Sequence, residues 1–107
     1  MHIGFILTKT PSEEGFNTFI KLLSVYLGKE DISVYLIGNG VYTARDGSFK
    51  APDILEILKK ARVYASHDDL NARGIKDEQL IRGIKIFKSY DALVLDMMEK
   101  MDQIISL

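Results

Sequence analysis

Short apolar runs alternate along this chain with longer segments in which apolar residues recur every three or four positions. The runs are Ile3–Leu7, Ile32–Ile37, Arg62–Ala65, Ile84–Phe87 and the terminal Gln103–Leu107. Nearly continuous apolar runs of this length are typical of strands that are covered on both faces, as in a parallel sheet. The pattern therefore predicts five strands.

The segments between the runs predict helices. Thr10–Glu13 has the pattern of a capping box with Pro11 at the first helical position, so a helix should begin there and end near Gly28. Its apolar stripe is Phe16, Phe19, Ile20, Leu23 and Leu27. Pro52 opens a second helix, with a stripe made of Ile54, Leu55, Ile57, Leu58 and Ala61. Leu93, Met97 and Met101 share one face of a last helix.

The alternation of strands and helices predicts an α/β fold. We expect one domain over residues 1–107, with three α/β/α layers and a mainly parallel sheet of about five strands. The length suits a single hydrophobic core. Lys76–Gly83 remains open between a helical turn and a loop.

Composition narrows the function classes. The formal net charge of −1 provides no overall field that would draw nucleic acid or an anionic membrane, so any tRNA contact would be local or indirect. With no cysteine, no disulfide framework and no run long enough to span a membrane, we expect a cytoplasmic protein. His2 and His67 are too few for a metal site, and no cofactor motif is present.

Two turns carry the candidate chemistry. Gly38-Asn39-Gly40 allows positive φ or a close approach, but it is too short for a nucleotide-binding fingerprint, and Val41–Lys50 should follow it as a loop. Ser66 is expected to cap a short helix that Gly74 closes, and aspartate should replace it with little cost. Because Ser66-His67-Asp68 are consecutive, they cannot form a hydrolytic triad, and His67 should be exposed.

An alternative interpretation joins these turns into a shallow anion pocket, with Arg73 or Arg45 nearby. The residues of this pocket would be Gly38, Asn39, Gly40, Tyr42, Ser66, His67 and Arg73. The aspartates after Ser66 oppose an anion, so the capping role is favoured.

Two further groups of residues have a functional and a structural interpretation. A basic segment contains Arg73, Lys76, Arg82, Lys85 and Lys88, but Asp77 and Glu78 interrupt it, so a solvated face is favoured over a tRNA patch. Met97, Met98 and Met101 could form a pliable contact surface, although methionines at helical spacing more often belong to the core.

Three segments in order resemble the DsrE/DsrF/DsrH superfamily, and most closely its DsrH or TusB branch. They are Gly40–Ala44, Arg62–Ile75 and Ile84–Asp91. The resemblance implies a role in sulfur relay, as in the TusBCD complex that passes sulfur toward 2-thiouridine in tRNA, and it places the working cysteine of other subunits at or beside Ser66. Since a thiolate is the group that attacks and accepts sulfur, this cysteine-free chain is expected to be a non-catalytic subunit.

The resemblance also implies assembly with other chains. We expect a homo-oligomer, or a hetero-oligomer with cysteine-containing DsrE/DsrF-like paralogues. We expect no association with a membrane. Val41, Tyr42 and Phe49, in a loop that a monomer would leave partly exposed, support the expectation of an oligomer. The alternatives are a stand-alone small-molecule or anion-binding protein and an enzyme that uses hydroxyl or histidine chemistry.

Overall fold

The computed structural model describes residues 1–47 and 50–107. Its sheet has five strands in the order β4-β3-β2-β1-β5, and every neighbouring pair is parallel. The strands are β1 His2–Leu7, β2 Asp31–Leu36, β3 Arg62–Ser66, β4 Lys85–Phe87 and β5 Gln103–Ser106. The predicted parallel α/β fold is confirmed.

Over residues 1–47 and 50–107, four α-helices and two 3₁₀ helices connect the strands. The α-helices are α1 Glu14–Tyr26, α2 Ala51–Leu58, α3 His67–Ala72 and α4 Tyr90–Lys100. The 3₁₀ helices are Gly38–Ala44 and Asp77–Gln79. The segment Lys76–Gly83, which was open between helix and loop, thus contains one 3₁₀ turn.

The two faces of the sheet are covered unequally. Buried side chains of α1, α2 and α3 pack on one face, together with the alternate strand residues Ile3, Phe5, Leu7, Ile32, Val34 and Leu36. On the other face α4 packs alone, with Leu93 against Tyr35 and Phe87 and with Met97 and Met101 beside them. The second outer layer is therefore a single helix.

The start of the first helix differs from the prediction, because α1 begins at Glu14 rather than at Pro11. The Thr10 N–H donates to Glu13 Oε1 at 3.1 Å, which is one half of a capping box. The Thr10 hydroxyl pairs with Ser12 Oγ, and the Glu13 N–H donates to the Thr10 carbonyl, so the other half does not form. Thr10–Glu13 is a turn that precedes the helix.

Val41–Lys50 was predicted to be a loop, and this prediction was wrong over Val41–Ala44, because Gly38–Ala44 forms a 3₁₀ helix. Val41 is fully buried and Tyr42 is partly covered, so they do not form the exposed loop surface expected. Phe49 lies outside the described residues. This segment packs inward because its apolar side chains join the main core.

Two apolar side chains of the predicted helices point outward. The sequence predicts that Leu55 belongs to the buried stripe of the second helix, but it is exposed, because the buried face of α2 consists of Ala51, Ile54 and Ile57. Met98 is 79% exposed, whereas Met97 and Met101 pack against the sheet. Within the described residues, no helix has the length and apolar character that crossing a membrane requires.

Candidate functional site

The carboxyl end of the sheet contains one point where neighbouring connections diverge. The chain leaves β3 into α3 on one face of the sheet, whereas it leaves β4 into α4 on the opposite face. In open α/β sheets, the crevice outside such a point is the usual place for a ligand. Ser66 ends β3 and Tyr90 begins α4, so both residues border this crevice.

Ser66 caps α3, as the sequence predicts. Its Oγ accepts the backbone N–H of Asp69 at 3.4 Å, and the residue is only 2% exposed. The hydroxyl also hydrogen-bonds to the Asp69 carboxylate. Both contacts engage the hydroxyl in local structure.

Asp69 occupies the centre of the crevice. Its carboxylate accepts the Tyr90 hydroxyl and the backbone N–H of Gly38, and Arg73 Nη1 lies 3.5 Å away. Burial raises the pKa of this carboxyl group, but hydrogen bonds from Tyr90, Gly38 and Ser66, followed by the charge of Arg73, outweigh burial and hold the pKa below its usual value. Asp69 is therefore an internal anion that joins the loop after β2 to α3 and α4.

Arg73 fixes the other side of this group, which we name the Asp69 cluster and define as Gly38, Asn39, Ser66, Asp69, Arg73 and Tyr90. Its Nε and Nη2 donate to Asn39 Oδ1 at 3.2 and 3.0 Å, and its Nη1 donates to the Asp69 carbonyl at 3.2 Å. The guanidinium also lies over the Tyr42 ring, 5.9 Å from its centroid. The cation is directed into the protein by these contacts.

Gly40 sets the position of the 3₁₀ helix that carries Asn39 and Tyr42. A Cβ atom at residue 40 would lie 2.0 Å from the carbonyl oxygen of Leu7. Only glycine allows the backbone after β2 to approach the end of β1 so closely. Gly38 has φ of 54°, which favours glycine at the first position of the same turn.

The structure brings together most of the predicted pocket. Gly38, Asn39, Ser66 and Arg73 converge, with Tyr42 beside them, whereas His67 is exposed and its side chain forms no hydrogen bond within the described part of the chain. Gly40 allows the close backbone approach to Leu7 and does not line the crevice. Arg45 lines a separate open cavity of about 350 Å³, with Thr10, Pro11, Ser12, Tyr42, Asp46 and Gly47.

Sequence reasoning missed Asp69 and Tyr90 as members of the site. Asp69 was interpreted only as a charge that complements a helix end, and Tyr90 only as part of a family segment. The two residues are 21 positions apart, and their contact depends on the divergence of α3 and α4. The available signal was the position of Tyr90. It begins the helix that follows β4, and β4 is the neighbour of the strand that ends at Ser66.

The chemistry of the Asp69 cluster is that of a closed structural network. The hydrogen bond from Tyr90 to Asp69, together with burial, raises the pKa of Tyr90, so the phenol remains a protonated donor. The cluster contains no thiol, and no group of three metal-ligating side chains occurs in the described ranges. These contacts can hold three elements together, and they leave no activated nucleophile.

The remaining cations of the basic segment do not enter the crevice. Lys76, Arg82, Lys85 and Lys88 are exposed, which agrees with the solvated face predicted. Only Arg73 of that segment is held inside. The segment is thus divided between a structural cation and solvent-exposed charges.

A second polar group lies at the opposite end of β3, and we name it the Arg62 cluster: His2, Asp31, Ser33 and Arg62. Arg62 Nε donates to Ser33 Oγ at 3.3 Å, and its Nη2 lies 3.1 Å from Asp31 Oδ1 and 3.0 Å from His2 Nε2. Close by, burial followed by the charge of Asp96 raises the pKa of Tyr35 to about 12. This cluster joins the starts of strands and is partly open to solvent.

Comparisons with known proteins agree with this architecture. A family model described as DsrH like protein matches residues 10–103. The uncharacterized protein MJ0989 of Methanocaldococcus jannaschii is 29% identical over 102 residues, which are 87% of this chain and 90% of that protein.

Solved structures share the fold. MTH1491 from Methanobacterium thermoautotrophicum, a protein of unknown function, has a TM-score of 0.84 at 22% identity and covers 99% of this chain and 98% of its own. The ychN protein from E. coli has a TM-score of 0.76 at 21% identity, with 100% and 99% covered. Tm0979 from Thermotoga maritima has a TM-score of 0.55 at 22% identity, with 94% and 95% covered.

Proposed function

The chain belongs to the DsrH-like family, and from this premise we propose that it is the cysteine-free, non-catalytic subunit of a sulfur-relay complex of the TusBCD/DsrEFH type. The family is one of small sulfur-relay subunits without catalysis of their own. The observation that supports the proposal most strongly is the chemistry at the end of β3. Where the resemblance places the cysteine of other subunits, this chain has a buried serine that caps α3 beside the Asp69 carboxylate.

A sulfur carrier needs a thiolate that can reach its partner. The hydroxyl of Ser66 is buried, and it hydrogen-bonds to the N–H and the carboxylate of Asp69. His67 points to solvent, and the Asp69 carboxylate is held by Tyr90 and Arg73 with a lowered pKa, so neither residue is suited to take the proton of the hydroxyl. The crevice therefore supports a structural contribution to the complex.

The proposed partners are cysteine-containing DsrE/DsrF-like paralogues, which would supply the thiol. We propose that the complex delivers sulfur for the formation of 2-thiouridine in tRNA. This chain would contact the tRNA only indirectly, through the other subunits. The exposed lysines of the basic segment are mixed with Asp77 and Glu78, which supports an indirect role over a dedicated RNA patch.

The test uses the purified chain with a cysteine desulfurase and cysteine labelled on sulfur, in the presence and absence of the paralogues. We expect the chain to bind the paralogues and the label to accumulate on their cysteines alone. A Ser12→Cys variant, with a thiol on an exposed turn, is the positive control for detection. Stable covalent label on the wild-type chain would contradict the proposal.

The alternative of a stand-alone anion-binding protein has a weaker basis. The donors that the pocket would offer, Arg73, Ser66 and the Gly38 N–H, already bind the Asp69 carboxylate. The cavity at Arg45 retains a cation and three hydroxyl groups, but Asp46 also lines it. A rise in melting temperature with sulfate or phosphate that Arg45→Gln abolishes would favour this alternative.

A further inference from the structure

A cavity of about 310 Å³ lies between α4 and the amino ends of the strands, at the opposite end of β3 from Ser66. The strands form its floor, and the last turns of α4 form one wall. The side chains that line it include Ser33, Tyr35, Arg62, Tyr64, Asp96 and Lys100. Cavities of about 300 Å³ and larger hold small ligands in proteins, so this space is sufficient for a small molecule.

Arg62 is fixed at the floor of this cavity by two of its three side-chain nitrogen atoms. Its Nε donates to Ser33 Oγ, and its Nη2 donates to Asp31 Oδ1 and to His2 Nε2. Ser33 is 1% exposed, so the hydroxyl that holds Arg62 belongs to the interior. The third nitrogen, Nη1, has no acceptor within the described residues. A guanidinium held in this way offers two N–H groups to a ligand and loses little freedom on binding.

Two further donors line the same space. The Tyr64 hydroxyl has no hydrogen-bond partner in the described part of the chain, and its ring stacks on Tyr35 with 5.2 Å between the centroids. Lys100 Nζ lies 3.3 Å from Asp96 Oδ1, and one such pair leaves donor capacity on the ammonium. Lys85 pairs with Tyr64 in the register of β3 and β4, so it adds positive charge on the same face of the sheet.

The acidic side chains at this end of the sheet are already paired. Asp96 accepts the Tyr35 hydroxyl with Oδ2 and pairs with Lys100 through Oδ1. Asp31 pairs with Arg62 and does not line the cavity. Burial, followed by the charge of Asp96, raises the pKa of Tyr35 to about 12, so the Tyr35 phenol remains the donor in its contact. The binding capacity that remains in the cavity is therefore mainly that of donors.

The two ends of β3 differ in what their donors meet. At the carboxyl end, the donors of the Asp69 cluster surround a carboxylate of the chain itself. At the amino end, Arg62 Nη1 and the Tyr64 hydroxyl meet no such acceptor among the residues that the structure describes. An anion from solution would satisfy them.

We propose that this cavity binds a phosphate group, held by Arg62 Nη1, Lys100 Nζ and the Tyr64 hydroxyl. A phosphate has several acceptor oxygens and carries up to two negative charges, so it can use a guanidinium, an ammonium and a hydroxyl at once. The space also accommodates a small organic group on the phosphate, for which the stacked rings of Tyr35 and Tyr64 form a wall. This site is separate from the crevice at Ser66, and the proposal does not depend on sulfur relay.

Titrations at constant ionic strength, followed by the amide NMR signals of the full chain, test the site. The two probes are inorganic phosphate and AMP, and we expect signals at the start of β3 and in the last turn of α4 to shift. Arg62→Gln and Lys100→Gln should each weaken binding about tenfold, since each removes a hydrogen bond between charged groups. Tyr64→Phe should weaken binding less, because it removes a neutral donor and keeps the ring.

Arg82→Gln and Lys59→Gln are matched controls, because they remove the same charges at exposed positions outside the cavity and should leave the affinity unchanged. Tighter binding of AMP would identify a phosphate ester as the ligand, and tighter binding of inorganic phosphate would identify the free ion. Absence of saturable binding of both probes at millimolar concentration would overturn the proposal. Equal weakening by Arg62→Gln and Arg82→Gln would do the same, as would binding that Arg45→Gln abolishes and Arg62→Gln leaves intact.

Discussion

Strand β3 carries a polar cluster at each end, and the two clusters differ in what they join. At the carboxyl end, the Asp69 cluster surrounds a mostly covered carboxylate with donors from the loop after β2, from α3 and from α4. At the amino end, the Arg62 side chain is 43% exposed and contacts side chains of β1 and β2, which the sheet already aligns. The comparison teaches that a polar cluster matters most where it connects elements that backbone pairing leaves separate.

The largest expected effect comes from the backbone under the Asp69 cluster. Gly40→Ala would place a Cβ atom 2.0 Å from the Leu7 carbonyl oxygen, so the 3₁₀ helix must shift, at a cost of about 3 kcal/mol or more in unfolding free energy. Gly15→Ala is the control, because its Cβ meets only flexible Lys9 side-chain carbons. Denaturant midpoints that shift equally for both variants would contradict this account of Gly40.

Asp69→Asn should be the next most damaging change. It removes the charge that Tyr90, the Gly38 N–H and Arg73 surround, and we expect a loss of about 2 kcal/mol, since hydrogen bonds to charged groups are the stronger ones. Arg62→Gln at the other end of β3 should cost less than about 1 kcal/mol, as exposed ion pairs do. Chemical denaturation of the two variants compares the clusters directly, and a larger loss for Arg62→Gln would reverse our ranking.

Acid should remove the advantage of the Asp69 cluster. Because the pKa of Asp69 is lower in the folded protein, its contribution is complete above the unfolded value of about 3.9 and is lost as the pH falls through the folded pKa. The difference in unfolding free energy between wild type and Asp69→Asn should therefore be constant near neutral pH and shrink below about pH 4. A difference that grows in acid would show that the sign is wrong. Glu13 also has a lowered pKa, but it is present in both proteins and cancels.

The sequence predicts the local features of this molecule well, because each strand and helix depends on the spacing of its own apolar residues. It also predicts the Ser66 cap, which involves atoms three residues apart. The contact between Asp69 and Tyr90 could not be predicted in the same way, since it depends on where α3 and α4 leave the sheet. The 3₁₀ helix after β2 was missed because its glycines are equally typical of an open turn.

Substitutions of Ser66 should have a smaller effect, and the surroundings of Ser66 lead to a different expectation for aspartate than the capping pattern alone does. Ser66→Ala should cost about 0.5–2 kcal/mol, as the loss of a cap does. Aspartate was expected to be a mild replacement, but Ser66 is buried beside the Asp69 carboxylate, so a second carboxylate there would be repelled and desolvated. We now expect Ser66→Asp to be less stable than Ser66→Ala, and the opposite order of melting temperatures would restore the original prediction.

The central claim is that the residues at the carboxyl end of β3 stabilise the fold of this chain, and that the proposed partner subunits provide the groups that carry sulfur. The most direct test measures both properties on one protein: the unfolding free energy of Ser66→Ala, and the rate at which a complex containing it passes labelled sulfur between the paralogues' cysteines. We predict a measurable loss of stability with an unchanged transfer rate, under conditions where the variant is folded and assembled. A folded and assembled Ser66→Ala subunit that stops sulfur transfer would contradict the claim.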